Sequence, residues 1–306
     1  MRQKKEWVRV LDEAKRLKID QFMKSELEKM RANILENYPD NVENRKNNPF
    51  LPFEHVEIKK YMALGRSVDS QLGNRMQRII FYLARLRYGI LNVPNIVTID
   101  FLDEETRQME CVLYCVDIEI AATEYNRNFD PFKQDVYIDK AFSEQEIKSR
   151  LKLKARSTAL QSRRETFFVT EESFTYIKSK QEKRIPVDLL VFDGTETGLN
   201  RADAFEIKMG GKLDTKNAES NAKEVKSLAS LFGFLEGSNA YFATCYGECS
   251  LAVKSEVEKQ LGEGNILNGK AFWEKVLPED FAYEQFIEMF TSCFINSGLE
   301  TALQEL

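Results

Sequence analysis

Histidine is almost missing from this chain: His55 is the one example in 306 residues. A zinc site built with two histidines is therefore excluded. Any serine–histidine–carboxylate triad would rest on His55 alone, and that residue reads as structural or surface. Proline (7) and glycine (14) are scarce while aromatics reach 11%, which excludes a globally disordered chain. Long apolar runs are missing too. The longest, between Arg78 and Arg85, is six residues, against the roughly 20 needed to cross a bilayer. No apolar stretch follows the charged start Met1–Trp7, so a secretory signal is not expected and the expected compartment is the cytoplasm. The five cysteines include two C-x3-C pairs, Cys111/Cys115 and Cys245/Cys249, both inside strand-like runs. They are expected to be free, buried or half-buried thiols rather than halves of a metal site. With 44 basic against 49 acidic residues the net charge is −5, which argues against a non-specific polybasic binder but not against local basic patches.

What is present organises the chain as mixed α/β. Trp7, Val8, Leu11, Ala14 and Leu17 recur at helical spacing, and Phe22, Leu27, Met30 and Ile34 carry the stripe on. Prolines and asparagines between Tyr38 and Phe53 predict a loop. A second helix is predicted over 54–88, closed by Gly89. Alternating β-branched residues predict a hairpin over 95–120 that turns at Asp103–Glu105. A helix is predicted at 143–162. Strands follow at 166–170, 174–178, 185–192 and 202–208, then a helix at 214–235, a strand at 240–246 and a helical tail over 252–304. The expected architecture is one mixed central sheet flanked by helices, with a helical N-terminal lobe and a helical C-terminal tail. The expected division is a segment 1–53 and a main domain 54–306, with its core at about 165–250.

The segment richest in chemistry is Ile185-Pro-Val-Asp188-Leu-Leu-Val-Phe-Asp193, followed by Ala204-Phe-Glu206-Ile-Lys208-Met-Gly-Gly211. Alternate residues of a strand share a face, so Glu206 and Lys208 point one way while Phe205 and Ile207 point into the core. A turn over 193–201 folds the two strands into a hairpin and can bring Asp188 beside the pair. Two carboxylates and a lysine converging between apolar strands suit a hard divalent cation such as Mg²⁺, which takes oxygen ligands and keeps several waters. Lysine can then orient a water for attack on phosphorus. The competing readings are an ordinary surface ion pair and a second acidic pair, Asp117-x-Glu119, which lacks a following lysine.

Pro186-x-Asp188 followed, after 17 intervening residues, by Glu206-x-Lys208 resembles the PD-(D/E)XK nuclease superfamily, with Pro-Asp relaxed to Pro-Val-Asp. Gly210-Gly211 before a predicted helix, Gly65–Gly73 opening a long helix, and Gly269–Trp273 with Tyr283–Phe290 resemble features of type II restriction endonucleases. This resemblance implies a restriction-endonuclease-like fold and Mg²⁺-dependent, site-specific hydrolysis of double-stranded DNA. It implies that Asp188, Glu206 and the carbonyl of Ile207 hold the metal, that Lys208 is catalytic, and that an N-terminal acid such as Asp69 assists. Gln77 stands where relatives often carry Glu. It further implies a homodimer on a palindromic target and a cognate methyltransferase.

For DNA contact the candidate run is Lys148 to Arg164. It carries Lys148, Arg150, Lys152, Lys154, Arg156, Arg163 and Arg164, and no acid. Arg75, Arg78, Arg85 and Arg87 form a second basic group. Two alternatives stay open on sequence alone: a structure-selective or repair nuclease of the same fold, and a non-catalytic DNA-binding protein.

Overall fold

The computed structural model describes residues 12–47, 51, 55–101, 110–120, 130–138, 149, 158–180, 183–195 and 198–305. The chain divides into two compact units, residues 1–83 with 277–306, and residues 84–276, so the boundaries fall elsewhere than at residue 53.

The first unit is helical. α1 (Glu13–Lys46) buries Ile19, Met23, Leu27, Met30, Ile34, Tyr38 and Val42, a stripe repeating every three or four residues. The predicted loop from Tyr38 is corrected here, because α1 runs through Pro39 to Lys46. Tyr38 and Val42 pack on Ala63 and Leu64 of α2 (Val56–Tyr88), and this contact outweighs the local cost of proline and asparagine. α7 (Tyr283–Asn296) and α8 (Leu299–Gln304) complete the unit. Phe286, Phe290 and Phe294 line up along α7 with ring centroids 6.2 Å apart. Glu26, fully buried, takes Lys29 at 2.9 Å, Arg75 at 3.1 Å and Arg78 at 2.8 Å. Two arginines of the expected second basic group are thus tied to an internal carboxylate.

The second unit holds two mixed sheets, where a single central sheet was expected. The first has the order β4-β2-β1-β3-β5, with β1 at Ile96–Phe101, β2 at Glu110–Ile120, β3 at Gln134–Ile138, β4 at Thr158–Phe168 and β5 at Lys183–Val187. The predicted hairpin is present as the antiparallel pair β1–β2, with Ile96 opposite Val116; its turn lies outside the described residues. The second sheet has the order β6-β7-β8-β9, with β6 (Leu189–Thr195) antiparallel to β7 (Gly198–Gly210), and β8 (Asn239–Tyr246) and β9 (Ile266–Asn268) continuing in parallel. α4 (Thr215–Ser230) joins β7 to β8, α5 (Leu251–Leu261) joins β8 to β9, and α6 (Lys270–Val276) follows.

Three sequence expectations change here. Residues 158–162 belong to strand β4 rather than a helix. Phe174–Lys178 belongs to a helix, α3 (Glu171–Lys178), because the Thr170 hydroxyl accepts the Ser173 N–H at 3.2 Å and two acids open the first turn. The helical tail is interrupted by β9.

The main core lies between the sheets. Val97, Leu113 and Val136 from the first sheet meet Leu190, Phe192, Ala202 and Ala204 from the second, with Val225 and Leu228 of α4. Gln134, buried, bridges the sheets. Its amide nitrogen donates to the Leu190 carbonyl at 2.9 Å, and its oxygen accepts the Leu190 N–H at 2.7 Å. Removing Glu26 should take the buried carboxylate from Arg75 and Arg78, whose side chains are 12% and 17% exposed. Glu26→Ala is expected to lower stability by about 3–5 kcal/mol in urea unfolding followed by circular dichroism.

Candidate active site

Asp188 is the residue at which the chain leaves one sheet and enters the other: β5 ends at Val187 and β6 begins at Leu189. Leu189 pairs with Phe205, so the next step of the ladder sets Asp188 opposite Glu206. Backbone pairing stops there. The side chain takes over, and Asp188 Oδ2 accepts the Ile207 N–H at 2.8 Å.

Glu206 and Lys208 share a face of β7, and the lysine ammonium lies 2.7 Å from Glu206 Oε1 with the side chains 17% and 29% exposed. This is the face that packs under α4. Ala202 and Ala204 belong to it inside the main core, and Phe242, in register with Glu206, packs on Ala218 and Ala222 of α4. The opposite face is covered as well: Phe205 stacks on Tyr241 at 5.0 Å and lies 6.3 Å from Phe272 of α6. The charged group therefore continues a core face, half-buried at the end of that core.

The electrostatics follow from that position. Burial pushes the Asp188 carboxyl up, partly offset by the Ile207 N–H, Lys208 and Lys133. Glu206 is pushed up to about 7, first by burial and then by the charge of Asp188, with the Lys208 hydrogen bond pulling the other way. Glu224, on α4, adds negative charge felt by both acids. Neither Glu224 nor Lys133 was singled out from sequence. Nothing in its residue type separates Glu224 from Glu219 on the same helix, and Lys133 reaches the site only through the fold of the first sheet.

The backbone beyond the lysine is tightly held. A Cβ on Gly211 would sit 2.2 Å from the Glu248 carbonyl oxygen, and one on Gly210 would sit 2.9 Å from the Tyr246 ring. Asp214 then caps α4, accepting the Lys216 and Asn217 N–H groups at 2.9 and 3.3 Å. The expected glycine turn and helix follow the lysine.

Comparison with family models, with curated proteins and with solved structures finds no match. The site must be read from its own chemistry.

Asp188 and Glu206 offer hard oxygen donors whose mutual repulsion a divalent cation would relieve. Among the described residues no group of three or more histidines, cysteines or acids forms a metal cage. Two carboxylates, with the Ile207 carbonyl beside them in the strand, fit a cation that keeps several waters, as Mg²⁺ does, better than a caged zinc.

Asp69 is exposed on α2 in the helical unit. Lys148, Arg150, Lys152, Lys154 and Arg156 lie outside the described residues. Arg163 and Arg164 are neighbours in strand β4, so they face opposite ways instead of sharing a helix face. Arg163 pairs with Glu165 and lies 3.5 Å from the Asn92 side-chain oxygen, which makes it a structural cation; Arg164 is exposed. Asp117, from the second acidic pair, is buried and closed off by Arg85, which also reaches the Asn95 side chain at 2.9 Å. The cysteines are all free, and only Cys249 is not buried. Burial pushes Cys111, Cys245 and Cys293 up to about 12.

In the unfolded chain Glu206 loses its proton near 4.5, and in the folded chain near 7. The folded state thus binds the extra proton in that window, so stability should fall as pH rises through it. Urea midpoints of the metal-free protein should drop between about pH 5 and about pH 7.5, with a contribution of up to about 3 kcal/mol that Glu206→Gln abolishes. Gly211→Ala should displace the 246–249 loop and lower Tm by several degrees, read by calorimetry.

Proposed function

We propose that this chain is a Mg²⁺-dependent endonuclease that hydrolyses phosphodiester bonds in double-stranded DNA, with the site plan of the PD-(D/E)XK superfamily and the habit of a type II restriction enzyme. The observation that carries the reading is the convergence at one strand end of Asp188, at a bend between sheets, with the Glu206–Lys208 pair on the next strand. A surface ion pair would not need a second acid held by a backbone N–H, nor a face that continues the core.

Asp188 and Glu206 would hold the cation, with the Ile207 carbonyl. A bound Mg²⁺ would supply Lewis acidity toward the phosphate and toward the attacking water. Lys208, fixed by Glu206, orients the attacking water and balances the charge that grows on the phosphate oxygens. The water oxygen bonds to phosphorus, the bridging P–O bond breaks, and the products are a phosphate monoester and a hydroxyl end. Glu206 would have to shed the proton that burial and Asp188 favour before it could hold a cation.

The rest of the reading goes with that plan: a site-specific duplex target, a homodimer matched to a two-fold target, a cognate methyltransferase that protects the host's sites, and action in the cytoplasm. Among the described residues no helix is long and apolar enough to cross a membrane.

Purified protein should cut plasmid DNA into discrete fragments with Mg²⁺ and not with EDTA. Asp188→Ala and Lys208→Ala should each lower cleavage by at least about 100-fold with an unchanged circular dichroism spectrum. Mg²⁺-dependent cleavage persisting in both variants would overturn the assignment.

A further inference from the structure

A second polar site lies in the helical unit, in the seam between α1 and α2. It is a cleft of about 510 Å³, and one wall is a row of amides on α1: Asn33, Asn37, Asn41 and Asn44, followed by Arg45. Their spacing of four, four and three residues sets them on one helix face. The other wall is α2, with Arg66, Ser67, Ser70 and Gln71. Acids are common on these helices, yet Glu36, Asp40, Glu43 and Asp69 do not line the cleft.

The amides are poorly explained by folding. Asparagine is a weak helix former because its side chain competes for backbone groups. Only part of the row is used internally: Asn41 donates to the Ser67 hydroxyl at 3.0 Å, Asn37 to the Asn33 carbonyl at 2.7 Å, and Asn33 to Gln71 at a long 3.4 Å. Among the described residues no hydrogen bond ends on the side-chain oxygen of any of the four asparagines, and neither Arg45 nor Arg66 pairs with a carboxylate. The amide row spans about 17 Å of helix at 1.5 Å per residue, longer than a single small ligand needs.

We propose that this cleft is a DNA-binding groove of the nuclease, in which Arg45 and Arg66 take backbone phosphates and the asparagine row meets base edges. This rests on the reading of the chain as a DNA endonuclease and names residues that would set its target preference. The chemistry matches: guanidinium groups pair with phosphate oxygens, and side-chain amides present a donor and an acceptor together, the pattern that reads an adenine edge. An acid-free lining with one arginine on each wall, in a chain of net charge −5, favours a polyanion. Arg163 and Arg164, the described cations of the run at 148–164, lie in strand β4 and face opposite ways, with Arg163 paired to Glu165.

The test uses the full chain carrying Lys208→Ala, with labelled duplexes titrated by anisotropy at several salt concentrations. Adding Arg45→Ala with Arg66→Ala should weaken binding at least about tenfold and flatten the salt slope by roughly two. Asn44→Asp should weaken it similarly, because it sets a carboxylate in the groove without breaking an internal bond. Lys18→Ala, which removes an exposed cation of the same unit outside the cleft, should change affinity less than about twofold. Selection from a randomised duplex pool should return a different preferred sequence for Asn37→Ala with Asn44→Ala. Duplex binding and wild-type cleavage that ignore all the groove variants would overturn the groove while leaving the nuclease reading intact. Binding that depends on the groove, in a protein that never cleaves, would support the groove and remove the nuclease. No binding of DNA by the parent protein would overturn both.

Discussion

The hydrogen bond from the Ile207 N–H to Asp188 Oδ2 is the contact on which the site depends. At this point the chain passes from one sheet to the other, and a strand that turns away must abandon its ladder partners. An unpaired N–H in a half-buried strand is costly. Supplying a carboxylate in its place satisfies the donor, lets β6 part from β5, and anchors an acid beside Glu206. One residue thereby completes the backbone and creates a repulsive pair of acids at the end of the core. The Gln134 bridge to Leu190 holds the same crossing from the other sheet, so the position of Asp188 is determined from both sides.

Charge in this molecule sorts by how completely it is neutralised. Glu26 is buried among three cations, and the surrounding charges and hydrogen bonds hold its carboxyl below the usual range despite its burial. Asp117 is matched by Arg85, whose guanidinium also donates to the Asn95 side-chain oxygen. Both arrangements cover the desolvation of an acid with near neighbours, the condition for a buried charge to be tolerated. The Asp188–Glu206 pair breaks that rule. Lys208 hydrogen-bonds Glu206 and acts on Asp188 through its charge, as Lys133 does, while Glu224 adds to the repulsion, and both carboxyls are pushed up. A site that resists its own ionisation favours a bound proton, and this difference separates it from the structural ion pairs elsewhere in the chain.

The sheets explain why the site is half-dry. α4 covers the face that carries Glu206 and Lys208, and α6 with its aromatic neighbours covers the other. Glycines at 210 and 211 admit the ring of Tyr246, the last residue of β8, and the backbone of the loop after it against the end of β7. Low local polarity strengthens each remaining electrostatic contact, including the 2.7 Å bond that orients Lys208.

Periodicity and residue type alone determined the helical character of α1 and α2, the β1–β2 hairpin, the β7–α4–β8 order, and the pairing of Glu206 with Lys208 on one face. These are local facts, because a strand alternates and a helix repeats whatever surrounds it. The acid-x-lysine pattern with a preceding aspartate was legible for the same reason. Tertiary structure decided the rest. It carried α1 through Pro39, because packing of Tyr38 and Val42 outweighed propensity, and it turned Arg163 and Arg164 to opposite faces of a strand. It split Ile185–Phe192 between two sheets at Asp188 and brought Lys133 and Glu224 within reach of the acids. Arg75, Arg78 and Arg85 look like free basic residues in the sequence and are bound to Glu26 and Asp117 in the fold. Whether a charge is solvated or neutralised depends on partners 32 to 52 residues away, from Arg85 to Asp117 and from Glu26 to Arg78, and a linear pattern carries no record of them.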